Sequence, residues 1–299
     1  MRVAGPFSQN LSSSRSPGFS EDFQRFLTER GYGEYDFAQS DAPGFGGRIH
    51  PDQEISRDPV IFIHGNSDTA KGWRSVIDKF KADGYSDAEL YALSYGPGNP
   101  ALSALQHHSK DDLQDVRKFI EAVLEYTGAE KVDVISHSLG VTLTRKALKG
   151  GEGLDPYAGQ YDLGDPLTDQ VDAFVGIAGA NQGLSNTRGF GSFLPTGNRV
   201  SGLHPDSDFL RNLNNNPTRE AQRVYSIGGR FDQILGRDAG RTNHIPGEDD
   251  AIEGPWGHFG ARSFTAEHQI RLVQKGDWPK AKTSTESPTS RFFRKSDKK

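Results

Sequence analysis

Four short segments carry residue types that together can perform acyl transfer. Ser136-His137-Ser138-Leu139-Gly140 sets a serine between small residues two places before and two after it. On a sharp strand-to-helix turn, such a serine lifts its hydroxyl above a sheet at a helix N-terminus, where the helix dipole favours developing negative charge. The alternative role for Ser138 is that of an N-cap hydroxyl. A tetrahedral intermediate also needs N–H donors aimed at its oxygen. Leu139, directly after the serine, offers one from its backbone. His64-Gly65-Asn66-Ser67-Asp68 offers the second, from the Asn66 N–H, with Gly65 letting the chain turn towards Ser138. His64 is placed to order that loop by hydrogen bonding, because in this arrangement the base follows the acid along the chain.

The expected order is serine, carboxylate, histidine. Asp232, in Arg230-Phe231-Asp232-Gln233, directly follows an apolar run, whereas Asp238, Glu248, Asp249 and Asp250 are rivals farther along. Of nine histidines, His244, His258 and His268 lie beyond Asp232. His268 falls inside a helical pattern and His244 lies just ahead of a proline. His258 sits in Gly254-Pro-Trp-Gly-His-Phe-Gly, where Trp256 and Phe259 can shield an imidazole from water. In these roles His258 takes the Ser138 proton, while Asp232 fixes its tautomer and stabilises the imidazolium.

The elements that must hold these residues follow from hydrophobic periodicity. Short apolar runs at 59–64, 89–95, 131–137, 171–179 and 222–229 predict buried strands. Between them, helical spacing predicts helices over 68–84, 111–128, 139–149 and about 264–275. Strands alternating with helices predict an α/β fold with a mostly parallel central sheet flanked by helices, whose ligands bind beyond the carboxyl ends of the strands. Ser138 and Asp232 each fall just after such a strand.

Composition removes whole classes of chemistry. The 299 residues include no cysteine, which excludes disulfides, thiolate metal sites and a cysteine nucleophile. A net charge of −5 argues against a nucleic-acid partner bound through a broad basic field. Thirty-five glycines point to many tight turns and close backbone approaches. The longest apolar run, near Val60 to Ile63, is far short of the ~20 residues that span a bilayer. Residues 1–20 read as a flexible arm, 21–275 as one domain, and 276–299 as a disordered basic tail. The tail is read as solvated, with Phe292 and Phe293 offering a transient contact to an anionic lipid surface. No apolar leader core follows Met1, so the chain as written reads as cytoplasmic, or as extracellular if a leader is missing.

The segments PVIFIHGNSD, VDVISHSLGVTLTRKAL and DAFVGIAGANQGL resemble those of the class 2 lipases, a family of serine α/β-hydrolases. The HGN turn, SHSLG elbow, RFDQIL loop and GHF loop are also similar to extracellular poly(3-hydroxybutyrate) depolymerase of the lipase-box-variant type. The resemblance covers about 21–275. It implies the α/β-hydrolase fold, Ser138, Asp232 and His258 as a triad, and the Asn66 and Leu139 amides as oxyanion donors. Such lipases usually carry Ala or Gly where this chain has Ser136.

The long stretch 181–219 is polar but interrupted by Leu184, Phe190, Phe193, Leu194, Val200 and Leu203. A loop this long predicts a functional lid-like insertion, or packing over a helix edge. Phe190, Phe193, Leu194 and Trp256 are the expected substrate-binding residues. A second insertion, 151–170, is placed to border the cleft. Its Asp155, Asp162 and Asp165 lack a twelve-residue calcium pattern, and His107-His108 beside Asp111-Asp112 reads as a helix start, so no metal and no cofactor are expected. The expected partner is a lipid or polyester ester, with no specific protein partner. Three readings compete: a lipase or esterase, a polyester depolymerase, and a hydrolase-fold binding protein with a dead triad.

Overall fold

The computed structural model describes residues 18–37 and 43–274, so the expected arm over 1–17 and the basic tail with Phe292 and Phe293 lie outside the described residues. Residues 18–20, expected within the 1–20 arm, are described and make defined contacts. Phe19 is buried and bridges Gly46, and Ser20 caps the first helix by accepting the Phe23 N–H at 3.1 Å.

In chain order the regular elements are α1 (Glu21–Glu29), β1 (Val60–Ile63), α2 (Arg74–Ala82), β2 (Leu90–Ala92), α3 (Lys110–Thr127), β3 (Val132–His137), α4 (Leu139–Lys149), β4 (Glu152–Asp155), β5 (Gly159–Asp162), β6 (Val171–Ile177), α5 (Asp208–Asn215), β7 (Arg223–Gly229), α6 (Ala239–Asn243), β8 (Asp250–Gly254), α7 (His258–Ser263) and α8 (Ala266–Val273). Six strands form one sheet in the order β2-β1-β3-β6-β7-β8, and each neighbouring pair is parallel. β4 and β5 make a separate antiparallel hairpin.

The sheet is covered on both faces because its strands are apolar on both. In β1, Ile61 and Ile63 pack with α1, α3 and α4 through Phe23, Phe119, Val123 and Leu143. Val60 and Phe62 alternate to the other face, against Trp73, Phe80 and Ile270. β3 and β6, central in the sheet, are buried along their whole lengths, which explains why their apolar residues point to both faces.

Several elements depart from the periodicity. α1 lies where the chain leaves the expected arm, and β8, DAIEG, is a half-exposed edge strand without an apolar run. The expected terminal helix, about 264–275, is α8, and a short helix that the periodicity did not predict, α7, precedes it. The 181–219 stretch is not one loop: its first half is a series of short 3-10 turns, and its second half contains α5, capped by Ser207 and burying Phe209, Leu210 and Leu213. The 151–170 stretch folds as the β4–β5 hairpin beside a separate cavity of about 240 Å³, lined by Lys146, Lys149, Tyr161 and Phe209. It does not border the cleft over Ser138.

Candidate active site

Ser138 sits between β3 and α4 with φ +56° and ψ −128°, a backbone conformation that non-glycine residues adopt only under constraint. The constraint is close packing. A β-carbon on Gly140 would stand 2.1 Å from the His64 carbonyl oxygen, so α4 begins hard against the end of β1. Ser136, where a smaller residue was expected, is buried in β3 and hydrogen-bonds through Oγ to Thr144 Oγ1 at 2.9 Å. Leu139 opens α4, where a backbone N–H has no carbonyl of its own helix to bond.

The segment after β1 lies against the serine. Gly65 is needed for space: a β-carbon there would be 2.7 Å from Ser138 Cβ, while its φ lies outside the left-handed region. Among the described residues, the hydrogen bonds of Asn66 run through its side chain. Its Nδ2 donates to Ser103 O at 2.9 Å, and its Oδ1 accepts from Ser67 Oγ at 2.7 Å. His64 orders this loop, as expected. Its Nδ1–H donates to Gly65 O at 2.8 Å, and its Nε2 accepts the Tyr95 N–H at 3.0 Å. Burial lowers its pKa to about 4, so the ring stays neutral.

On the other side of the serine, β7 ends at Gly229 and the chain turns through Asp232, while β8 ends at Gly254 and leads to His258, the first residue of α7. The two connections touch backbone to backbone: a β-carbon on Gly229 would stand 2.1 Å from the Trp256 carbonyl oxygen. That contact brings residues 26 apart into one relay. His258 Nε2 lies 2.9 Å from Ser138 Oγ, and His258 Nδ1 lies 2.8 Å from Asp232 Oδ2. The other Asp232 oxygen accepts the Ile234 and Leu235 N–H groups at 2.9 and 2.8 Å. Gln233 Oε1 accepts the His258 N–H at 3.2 Å. The rival groups lie elsewhere: Asp250 is in β8, His268 is in α8, and His244 pairs with Glu248.

His137 packs beside His258 with ring centroids 4.8 Å apart, and its Nε2–H donates to the His258 carbonyl at 3.1 Å. Burial first, and then the neighbouring His258, hold its pKa well below the usual histidine range. A neutral His137 can therefore anchor the His258 backbone without placing a second cation beside it.

The serine opens into a cleft of about 550 Å³ whose apolar wall includes Pro100, Ala104, Leu184, Leu194, Ile234 and Phe259. Leu194 is one of its lining residues. Phe190 and Phe193 do not line the cleft: they are 81% and 82% exposed and pack chiefly against each other, with centroids 6.0 Å apart. Their short 3-10 turn presents Gly191 and Leu194 to the cleft instead. Trp256 is also absent from the lining, because its ring folds back onto Gly254 and His268. Phe259 is the aromatic that covers the imidazole, edge to face at 5.3 Å. The cleft wall also holds the Asp68–Arg262 ion pair, which joins the loop after β1 to α7. Sequence reasoning missed that pair, along with Leu184 and Ile234. Asp68 and Arg262 are 194 residues apart, and only the fold makes them neighbours.

The family model for Lipase (class 2) matches residues 57–270, which is more than half of the chain. The chain belongs to the class 2 lipase family. Solved structures of lipases share its fold. Aspergillus fumigatus lipase B aligns with a TM-score of 0.55 at 17% identity, covering 91% of this chain and 63% of that one. Bacillus licheniformis lipase BlEst2 aligns in its mature form with a TM-score of 0.53 at 16% identity, covering 77% of this chain and 96% of that one. In the propeptide form of BlEst2 the TM-score is 0.54 at 14% identity, and the same 77% of this chain spans 52% of that one. This class 2 lipase chain thus spans only about half to two thirds of the length of two of these matches. At such identities the likeness speaks for the α/β-hydrolase fold alone, and it agrees with the six-stranded sheet.

Proposed function

We propose that this chain is a serine carboxylic ester hydrolase, cleaving lipid or acylglycerol esters through Ser138, His258 and Asp232. The observation that carries the reading is the unbroken relay Ser138 Oγ–His258 Nε2 and His258 Nδ1–Asp232 Oδ2, at 2.9 and 2.8 Å, on the floor of a largely apolar cleft. Both distances suit proton transfer and tautomer control.

In this reading Ser138 Oγ attacks the ester carbonyl as His258 Nε2 takes its proton, and Asp232 Oδ2 holds the Nδ1–H. The carbonyl oxygen becomes an oxyanion facing the Asn66 and Leu139 N–H groups. Collapse of the intermediate breaks the ester C–O bond. The alcohol leaves with the proton from His258, and the acyl group stays on Ser138. A water, deprotonated by His258, then attacks the acyl-enzyme and releases the acid. The apolar wall of Leu184, Leu194 and Ile234 suits an acyl chain rather than a charged or strongly polar group.

The test is release of p-nitrophenol from esters of rising acyl length, with Ser138→Ala measured alongside. Wild-type turnover equal to that of Ser138→Ala would refute the serine mechanism and favour a binding protein. Clearing of a polyester suspension without turnover of soluble esters would refute the lipid-ester assignment.

A further inference from the structure

The loop after β1 is held by a segment that supplies no chemistry of its own. Ser67 has φ +56°, a left-handed conformation that a serine keeps only when its surroundings impose it. Its N–H donates to Gln106 Oε1 at 2.7 Å in the protein interior, and its hydroxyl donates to Asn66 Oδ1 at 2.7 Å. Asn66 Nδ2 reaches Ser103 O, so residues 103–106 grip both Asn66 and Ser67. The gripping segment is itself fixed. Gln106 is buried, and its amide lies so close over Gly96 that a β-carbon there would stand 2.5 Å from Nε2. Thr196 Oγ1, from the cleft wall, lies within hydrogen-bond distance of both Ser103 O and Gln106 O, at 2.6 and 2.5 Å.

We propose that Gln106 is a positioning residue for the oxyanion site: by accepting the Ser67 N–H, its Oε1 locks the 65–68 turn in the conformation that presents the Asn66 N–H to Ser138. The inference rests on the Asn66 amide being an oxyanion donor, as in the function proposed above. The physical reason is specific. The Ser67 N–H and the Asn66 carbonyl belong to one peptide plane, so freeing that N–H lets the plane rotate and Ser67 relax to negative φ. The adjoining Asn66 N–H then turns away from the serine. A donor displaced by about 1 Å loses most of its effect on a developing charge.

The experiment measures kcat and KM for p-nitrophenyl butyrate in Gln106→Met, which keeps the side chain's length and removes the acceptor. Rates are expressed per serine titrated to completion with a p-nitrophenyl phosphonate. The expected result is a fall in kcat of about tenfold or more with KM within about twofold of wild type. Adding Ser67→Gly to Gln106→Met should recover kcat several-fold, because glycine adopts the left-handed conformation without strain. Ser67→Gly in the wild type should give no such rise. A simple packing role for Gln106 would lower thermal stability but give neither the kcat-only loss nor the glycine rescue. If Gln106→Met fails to fold, Gln106→Asn, which withdraws the amide by one methylene, should show the same kcat-only loss.

Wild-type kcat in the folded variant, a loss confined to KM, or no rescue by Ser67→Gly would each overturn the proposal. Ser138→Ala separates the two levels of the argument. If Ser138→Ala keeps its turnover, the triad reading itself fails. If Ser138→Ala is inactive while Gln106→Met is unaffected, only the role of Gln106 fails.

Discussion

Replacing Asp232 by asparagine should silence the site and leave the fold intact, for a reason visible in the hydrogen bonds. Asp232 Oδ1 accepts two backbone N–H groups, from Ile234 and Leu235, while Oδ2 faces His258 Nδ1. Asparagine has one acceptor oxygen and one NH2 group. The two backbone donors need the oxygen, so the NH2 must face His258. Nδ1 can then serve only as an acceptor, and the ring proton moves to Nε2, the atom that should receive the Ser138 proton. The histidine is held in the wrong tautomer. The equivalent change in a serine-protease triad lowers kcat about 10⁴-fold, which corresponds to about 5.4 kcal/mol of barrier. A loss from one orphaned hydrogen bond alone would be about 1–3 kcal/mol. The assay is p-nitrophenyl butyrate hydrolysis at pH 8 with purified Asp232→Asn, with Tm measured on the same sample. Shape is conserved, so Tm should stay within a few degrees of wild type. Activity above about 1% of wild type in the folded variant would refute the tautomer argument.

Two further outcomes follow from the geometry. Leu194→Trp should shift the preferred p-nitrophenyl ester to shorter acyl chains, because Leu194 lines the cleft, whereas Phe193→Ser should leave soluble-ester kinetics within about twofold, since Phe193 stands outside it; equal effects of the two on chain-length preference would count against the assigned cleft. Burial, reinforced by the neighbouring Asp112 and Asp36, raises the Asp115 pKa to about 7, so its carboxylate is better tolerated unfolded than folded. The resulting destabilisation is absent below the unfolded carboxylate pKa of about 4, grows as pH rises, and is complete above about 7. Asp115→Asn should therefore stabilise the fold more at pH 8 than at pH 4.5, by about 1–2 kcal/mol after allowing for solvent screening, and an equal rise in Tm at both pH values in a thermal melt would refute the assignment.

Much of the framework was legible from local pattern. The strands β1, β3 and β6 are buried on both faces because the sheet is covered on both, so each announces itself by closely spaced β-branched and other apolar residues. The SHSLG and HGN segments could be read because a nucleophile turn demands small residues at fixed spacing. Glycine was legible but for the wrong cause at Gly65, where proximity to Ser138 rather than a turn excludes a side chain. The elements that escaped notice lack a continuous apolar run. β8 is a half-exposed edge, and α5 hides in an asparagine-rich stretch whose three apolar residues find their partners only by docking on the domain. The substrate residues escaped for a related reason: hydrophobicity marks Phe190, Phe193 and Trp256, but the direction a side chain takes from a short turn depends on what packs beneath it.

The sequence by itself determined the alternation of strands and helices, the serine on its turn and the order of candidate acid and base, because each depends on residues a few positions apart. Only the tertiary structure decided which carboxylate and which imidazole meet the serine, since that depends on β7 and β8 lying side by side and on their end loops touching at Gly229 and Trp256. It also decided the supports: Gln106 under Ser67, and Arg262 against Asp68 across 194 residues. Spacing carries information about contacts along an element, whereas contacts between elements are set by packing of the whole chain.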